Sequence, residues 1–323
     1  MAASDKAETL WMDEESSLTD AVHSALHENR HQPGGLAGRL ERAAATRGRR
    51  RPLNVNNMTP LPLSDEDVPL VTVSEPQVSM DDLVLGAQTV TALREVLNEQ
   101  RNVSRLAAYG LRPRRKLLLA GPSGTGKTRT AEALAYALGI PLVRVRLSAV
   151  VSSYLGQTAR HLERILEFCE SGRWVVSFDE IDMFAGERED SDHGEMRRVS
   201  TVLLQQLEEY AADNLVIATT NHGTSIDTAM WRRFDEVLAY RNPTQAQISS
   251  LLEMKLRRFS YKINRELVSR SLSGMSHAEV EAVCLDAMRK SVLAGAKSIS
   301  TDDLVESAAS RKKRYKEAGK SQG

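Results

Sequence analysis

Residues 117–128 read Leu-Leu-Leu-Ala-Gly-Pro-Ser-Gly-Thr-Gly-Lys-Thr, and no other stretch narrows so far what this chain can fold into. Leu117, Leu118, Leu119 and Ala120 form a short apolar run of the kind that makes a buried strand. Gly121-Pro122-Ser123-Gly124-Thr125-Gly126 then turns with side chains too small to block an approaching anion. Lys127 and Thr128 open a run through Ala131, Leu134, Ala135 and Leu138 whose spacing predicts a helix. In a strand–loop–helix context, G-x-x-x-x-G-K-T lets backbone N–H groups wrap phosphate oxygens while the helix N-terminus adds a favourable field. Lys127 would reach β- and γ-phosphates, and the Thr128 hydroxyl would hold Mg²⁺. A glycine-rich turn matching by chance is the alternative, and the strand before and helix after disfavour it. The expected phosphate-binding residues are Pro122, Ser123, Gly124, Thr125, Gly126, Lys127 and Thr128.

At 323 residues the chain is long enough for about two domains and an extension. Lys plus Arg and Asp plus Glu balance at 43 each, so overall charge points to no polyanionic partner. The only cysteines, Cys169 and Cys284, sit in helix-like apolar patterns without metal-ligand spacing, as reduced core residues do. No apolar run approaches the roughly 18 residues of a membrane span, and the N-terminus lacks a basic region before an apolar core. The expectation is a soluble, cytoplasmic protein with no membrane association.

Residues 1–50 read as a polar, acidic tail holding Trp11, followed by a small helical hairpin. Leu18, Ala21, Val22, Ala25 and Leu26 share a helical face after Ser17, and Gln32-Pro33-Gly34-Gly35 makes the turn before Leu36, Leu40 and Ala44. Residues 51–80 read as an extended linker, with five prolines between 52 and 80. Arg47-Gly48-Arg49-Arg50-Arg51 is either a solvated charge run or a nucleic-acid contact. Residues 81–242 then alternate helix and strand: a helix from about Thr89 to Tyr109, the strand at 117–120 and a β-rich run over Leu142–Leu147. A helix over Thr158–Glu170, a strand over Trp174–Phe178 and a helix over Glu195–Ala211 follow, then strands over Leu215–Thr220 and Glu236–Tyr240. That alternation predicts an α/β fold with a parallel, doubly wound sheet sandwiched by helices. Residues 243–314 change to helices alone, near 244–259, 264–273, 277–294 and 301–314, and predict a small helical domain. Residues 315–323 read as a polar tail.

Val175-Val176-Ser177-Phe178-Asp179-Glu180 is an apolar strand ending in two carboxylates. Asp179 is suited to hold the Mg²⁺ touched by Thr128, and Glu180 to take a proton from an attacking water. An apolar run followed by two acids is by itself also an ordinary surface turn. Thr219-Thr220-Asn221 closes the next strand, and a polar amide there could orient water beside a γ-phosphate; alone, Asn221 reads equally as a turn residue. In Trp231-Arg232-Arg233-Phe234-Asp235, two adjacent arginines could supply charge to a neighbouring subunit's phosphate or simply form surface ion pairs. His23, His27 and His161 have no partners at ligand spacing and read as surface or boundary residues.

With those motifs in order, the chain from about Val78 to Ala309 resembles the AAA subgroup of AAA+ ATPases, built on the P-loop NTPase fold. The resemblance rests on Gly121–Thr128 (Walker A), Val175–Glu180 (Walker B), Asn221 (sensor 1) and Arg232-Arg233-Phe234-Asp235. Gly274-Met275-Ser276-His277-Ala278-Glu279 resembles the small-domain motif closing over adenine and ribose, which implicates Gly274 and Ala278. Asp82–Gly86, with Leu85, resembles the segment lining the base from the other side. The match is nearest to small prokaryotic AAA ATPases, some encoded beside subtilisin-like proteases. The resemblance implies Mg²⁺-dependent ATP hydrolysis in a homo-oligomeric ring, most often a hexamer, with each site completed by the neighbour's Arg232 and Arg233. It further implies a pore loop gripping a protein substrate, here Tyr154-Leu155-Gly156, with a protease as a conceivable partner. Tyr154 offers a rigid, amphipathic grip, and Gly156 lets the loop bend. Gln157-Thr158 departs from the acidic residues the family often carries next. Gly186–Gly194, with His193, matches a second pore-facing loop or a solvated one.

Two other functions stay open. A nucleic-acid-associated AAA+ switch or loader would use Arg47–Arg51 and the Arg311-Lys312-Lys313-Arg314 run. A platform that binds ATP without turnover would have no need of a water-activating Glu180.

Overall fold

The computed structural model describes residues 60–150, 155–184, 201–203, 205–210, 212–221, 231–296 and 298–320. The expected N-terminal hairpin, the Arg47–Arg51 run, Tyr154 and the Gly186–Gly194 loop lie outside the described residues.

Four apolar runs lay down the sheet: β2 (Lys116–Ala120), β3 (Leu142–Val145), β4 (Val175–Phe178) and β5 (Leu215–Thr220), joined by the short β6 (Glu236–Ala239). Every residue of β4 and β5 is buried, as expected for central strands covered on both faces. The strand order is β1-β3-β4-β5-β2-β6, and all neighbours pair in parallel except β1 (Val71–Ser74), which runs antiparallel to β3. The sheet therefore begins inside the segment that its prolines mark as linker. Val71 and Val73 alternate with polar residues, Leu70 and Val71 are fully buried, and the Arg146 N–H donates to the Leu70 carbonyl at 2.8 Å. A four-residue edge strand is too short for its period to stand out against five flanking prolines.

The helix expected over 89–109 is two: α1 (Ala87–Arg101) and α2 (Val103–Ala107). Asn102 separates them, with φ −114° and ψ 30°, and its side-chain amide donates to the Asn98 carbonyl at 2.8 Å. Such local side-chain bonding competes with helix continuation. Helix α3 (Lys127–Leu138) buries Ala131, Leu134 and Ala135 in a core shared with Leu93, Val96, Leu117, Leu119 and Ile217. The β-rich run of 142–147 ends at Val145, and Leu147 already belongs to the short α4 (Leu147–Val150). Helix α5 (Leu155–Glu170) starts ahead of Thr158, which puts Leu155 and Gly156 in its first turn. Residues 201–203 and 205–209 are helical. His161 is buried, not a boundary residue: it is 3% exposed, with Nδ1 3.0 Å from the Val150 carbonyl. It occupies the apolar face of α5 with Leu162, Ile165 and Cys169, where spacing alone does not distinguish a core histidine from a surface one.

Beyond β6 lies the small domain: α6 (Gln245–Leu256), α7 (Arg265–Ser271), α8 (His277–Leu293) and α9 (Thr301–Lys320). It is helical except for two three-residue parallel strands, β7 (Ser260–Lys262) and β8 (Ser298–Ser300). Helix α9 runs on through residues 315–320, expected as tail. Reciprocal capping boxes fix where α6 and α8 begin, Thr244 with Gln247 and Ser276 with Glu279. Leu251, Leu252, Leu256, Val268, Val280, Val283, Cys284 and Ala287 make this domain's own core. Burial pushes the Cys169 and Cys284 thiols up to about 12, so both stay protonated and unreactive near neutral pH.

Asn214, 2% exposed, ties the start of β5 to its neighbours. Its Oδ1 accepts from the Trp174 N–H at 2.7 Å, and its Nδ2 reaches the Cys169 carbonyl at 2.6 Å and the Tyr210 hydroxyl at 2.7 Å. Asn214→Ala strands those buried groups. Urea denaturation should find it destabilised by about 2–4 kcal/mol, near the sum of the penalties for unsatisfied buried groups.

Candidate functional site

Parallel register brings the carboxyl ends of three strands into line. Ala120 of β2 pairs with Thr220 of β5, and Ala218 of β5 pairs with Phe178 of β4. Gly121 therefore emerges beside Asn221, and Asp179 level with Thr219, in the position where open α/β sheets bind ligands.

Two glycines shape the loop after β2. At Gly121 (φ 151°) a Cβ would lie 2.1 Å from the Tyr240 carbonyl oxygen, and at Gly124 (φ 75°) 2.7 Å from Ser276 Oγ. Only glycine combines these backbone angles with so close an approach. The loop ends at Lys127, whose residue is 6% exposed. Its ammonium donates to the carbonyls of Gly121 at 2.6 Å and Pro122 at 2.9 Å and to Asn221 Oδ1 at 2.9 Å. All three N–H donors are thereby used. Desolvation lowers the Lys127 pKa, opposed by Asp182, Glu180 and Asp179.

Oxygen atoms crowd the end of β4. Thr128 Oγ1 lies 3.3 Å from Asp179 Oδ1, which also accepts from Ser177 Oγ at 3.2 Å and Thr219 Oγ1 at 3.3 Å. Glu180 follows in a left-handed conformation, φ 57°, that costs a non-glycine residue about 1–3 kcal/mol. Its N–H donates to Thr219 Oγ1 at 3.0 Å, and its Oε1 accepts from Asn221 Nδ2 at 3.2 Å. Asn221 thus links Lys127 to Glu180. The oxygen-only character of Thr128 and Asp179 suits Mg²⁺, which is commonly held by one or two protein groups together with substrate phosphates and water. Accordingly, no group of three or more His, Cys, Asp or Glu able to hold a metal occurs among the described residues.

The small domain closes the other side of a cleft holding about 810 Å³ of empty space, open solvent at its mouth included. Leu83, Val84, Leu85, Leu251 and Met254 give it an apolar end, suited to a planar base, and Lys127, Thr128, Glu180 and Asn221 give it a polar one. The N–H of Ala278 donates to the Gly124 carbonyl at 2.9 Å, docking the first turn of α8 onto the loop. His277 lines the cleft with neither ring nitrogen hydrogen-bonded. Burial lowers its pKa; the nearby Val84 backbone offsets part of this without completing a hydrogen bond of normal geometry.

One cleft thus gathers Ser123, Gly124, Thr125, Gly126, Lys127, Thr128, Glu180, Asn221, Leu85 and Ala278 from distant positions. Pro122 contributes a carbonyl to Lys127, Asp179 contacts Thr128, and the Gly274 carbonyl accepts from Asn242 Nδ2 at 3.2 Å. Arg232 and Arg233 are not among the lining residues. Arg232 is exposed, and Arg233 lies 3.6 Å from Glu208. Sequence reading passed over Thr219, Arg129, Lys255 and Glu281. Thr219 and Arg129 adjoin recognised motifs, whereas Lys255 and Glu281 become neighbours only when α6 and α8 pack together.

His277 makes the site's stability pH-dependent in a stated direction. Its folded pKa lies below the ordinary 6.5, so the unfolded chain binds the proton more readily, and stability present above about 6.5 is lost as pH falls through the folded value. His277→Gln removes that contribution. Melting curves from pH 7.5 to 5 should fall less steeply for His277→Gln than for the unmodified protein, and parallel curves would contradict the assignment.

Comparison with known proteins agrees with this geometry. Residues 117–242 match the family described as ATPase family associated with various cellular activities (AAA). An uncharacterized AAA family ATPase, y4kL, of Sinorhizobium fredii is 37% identical over 245 residues, covering 76% of this chain and 74% of that protein. A proteasome-activating nucleotidase of Saccharolobus solfataricus is 28% identical over 259 residues, 76% of this chain and 66% of its own length. A 26S proteasome regulatory subunit 7 of Caenorhabditis elegans is 29% identical over 260 residues, 76% of this chain and 60% of its own. The fold is similar to the crystal structure of the FIGL-1 AAA domain, with a TM-score of 0.60 and 22% identity over 74% of this chain and 85% of that one. A phosphate loop at the end of a central parallel strand, acids at the end of a neighbouring one and a relative at this identity place the chain in the AAA family: it is an ATP-binding, ATP-hydrolysing enzyme of the P-loop fold.

Proposed function

We propose that this ATPase works as a homo-oligomeric ring, a hexamer, in which Mg²⁺-dependent ATP hydrolysis drives the unfolding or remodelling of protein substrates. The observation that carries the hydrolysis at its centre is the set Lys127, Asn221, Glu180, Thr219, Asp179 and Thr128, joined through Thr219 into one hydrogen-bonded unit suited to phosphate binding, water orientation and metal ligation. Lys127 exchanges its loop carbonyls for phosphate oxygens, while backbone N–H groups of 123–126 cradle the remaining charge. Thr128 and Asp179 hold Mg²⁺, which when bound neutralises charge developing on the phosphates. Glu180 accepts the proton of the attacking water, and Asn221 keeps that carboxylate oriented. Leu85 and Ala278, which line the cleft, bound the adenosine end, while Gly274 is assigned to it from its motif and lies outside the lining.

Arg232 and Arg233 act on a neighbour's nucleotide. Supporting this is the absence of both from the lining of their own chain's cleft. Protein substrates are favoured by two relatives, whose names assign them to proteasomal machinery. The grip on substrate is assigned to Tyr154 and to Leu155, the first residue of α5, and a protease would be one user of the unfolded product. The nucleic-acid reading loses its C-terminal support. Arg311 and Arg314 contact Asp286 at 2.7 Å and 3.5 Å, Lys312 donates to the Ser271 carbonyl, and Lys313 lies 3.8 Å from Glu317. No helix among the described residues is long and apolar enough to cross a membrane.

Two substitutions test the proposal. Glu180→Gln should still bind ATP while turnover falls by about 10²-fold or more in a phosphate-release assay, the range lost with a general base; near-normal turnover would reject the role. Tyr154→Ala should keep ATP turnover yet lose unfolding of a tethered fluorescent substrate, and unchanged unfolding would remove the pore assignment.

A further inference from the structure

Three charged side chains from three elements meet on the wall of the cleft. Arg129 Nη1 of α3 lies 3.0 Å from Glu281 Oε2 of α8, and Lys255 Nζ of α6 reaches Glu281 Oε1. Both carboxylate oxygens are thereby engaged, one by the large domain and one from within the small domain. Their side chains are 42%, 29% and 18% exposed for Arg129, Glu281 and Lys255, so the carboxylate is shielded far more than in a free surface pair.

Position gives this cluster its meaning. Arg129 directly follows Thr128 in the first turn of α3, so a shift of the phosphate loop moves both. Glu281 stands one helical turn beyond Ala278, whose N–H bonds the Gly124 carbonyl. Residues 278 and 281 thus share the face of α8 turned toward the loop, where a backbone bond and an ion pair fasten the small domain to the phosphate-binding unit. Lys255 holds the Glu281 carboxylate from behind and joins α6 to the same contact. A charged cluster contributes nothing to burying the apolar end of the cleft, and a hydrophobic residue at 281 would stabilise packing at least as well. What the ion pair provides is a directed connection between the two bodies that bound the cleft.

We propose that Glu281 is a positioning residue that latches the small domain over bound nucleotide through Arg129, with Lys255 orienting its carboxylate, and so sets the rate at which nucleotide leaves. This rests on the reading that nucleotide occupies the cleft, but not on the ring or on the protein substrate. Opening must break the Arg129–Glu281 pair, and high salt weakens that pair by screening.

The test is stopped-flow release of a fluorescent ADP analogue from the full chain for Arg129→Ala, Glu281→Gln and the double variant. Each single change should raise the off-rate about fivefold, the scale of a partly shielded ion pair. The double variant should be no faster than either single, because both remove the same contact. Raising salt to about 0.5 M, where screening acts within a few ångströms, should speed release from the unmodified protein toward the Glu281→Gln rate and barely change Glu281→Gln. Unchanged off-rates in the singles, or independent multiplicative effects in the double, would overturn the latch. Because Glu281→Gln is isosteric, matching melting temperatures separate a release effect from misfolding; should it melt early, the salt dependence of the unmodified protein decides. Unmodified protein that holds no labelled nucleotide would overturn the site assignment, and the latch with it, whereas failed substrate unfolding would leave the latch standing.

Discussion

A lysine ammonium almost out of reach of water is the constraint around which the site is arranged. Lys127 has three donors and needs three acceptors, and it finds two in the loop that precedes it and one in Asn221. Those bonds curl the loop back on itself and fasten it to the end of β5. Desolvation lowers the lysine's pKa, and under the proposed function an arriving polyanion would offset that cost. Phosphate oxygens are stronger acceptors for an ammonium than peptide carbonyls, because the bonds become charge-assisted. The strained backbone of Glu180 has the same logic: a left-handed glutamate persists because Thr219 and Asn221 fix it from both ends.

Elements whose chemistry is local were legible in the sequence. The apolar runs at 117–120, 175–178 and 215–220 become buried parallel strands, since a run without alternation fits a sheet covered on both faces. The α6 and α8 starts are written in Thr244–Gln247 and Ser276–Glu279. What escaped the reading depends on partners distant in sequence. Strand β1 exists because β3 has an edge to cover, and Lys262 finds Ser300 only when the small domain folds. His161 is buried because of where α5 lies in the fold, which spacing along the chain does not encode. Within the site, motif residues were legible because phosphate chemistry constrains their type and spacing together. Arg129, Lys255 and Glu281 were not, because ion pairing constrains charge but leaves spacing free.

Charge bookkeeping explains why basic runs mislead. The 43 cationic and 43 acidic residues sum to zero, and the described ones meet in tight groups. Arg114 engages Glu95, Glu99 and Glu236 together, while Asp286 receives Arg289, Arg311 and Arg314. In the run Arg311–Arg314, Arg311 is drawn into a partly buried pair with Asp286 at 2.7 Å, whereas Lys313 and Arg314 stay exposed beside looser partners. The run's arginines stiffen the α8–α9 packing at the far end of the helix whose first turn closes the cleft.

That arrangement makes α8 a lever with both ends held. Near His277 and Glu281 it touches the phosphate loop and α3; near Asp286 and Lys290 it is bonded to α9, through Arg311 and Glu306. Under the proposed latch, a displacement begun at Gly124 or Arg129 is passed to α8 and turns the small domain as a packed unit. Under the proposed ring assembly, such rotation is how hydrolysis in one cleft would reach a neighbour. The ion pair at Glu281 determines whether the small domain follows the phosphate loop or slips free of it. A tight pair transmits each phosphate-dependent shift and slows nucleotide release, whereas a weak one speeds release and loses the stroke. Arg129 is 42% exposed and Glu281 29%, so water reaches the pair and lowers the barrier to breaking it.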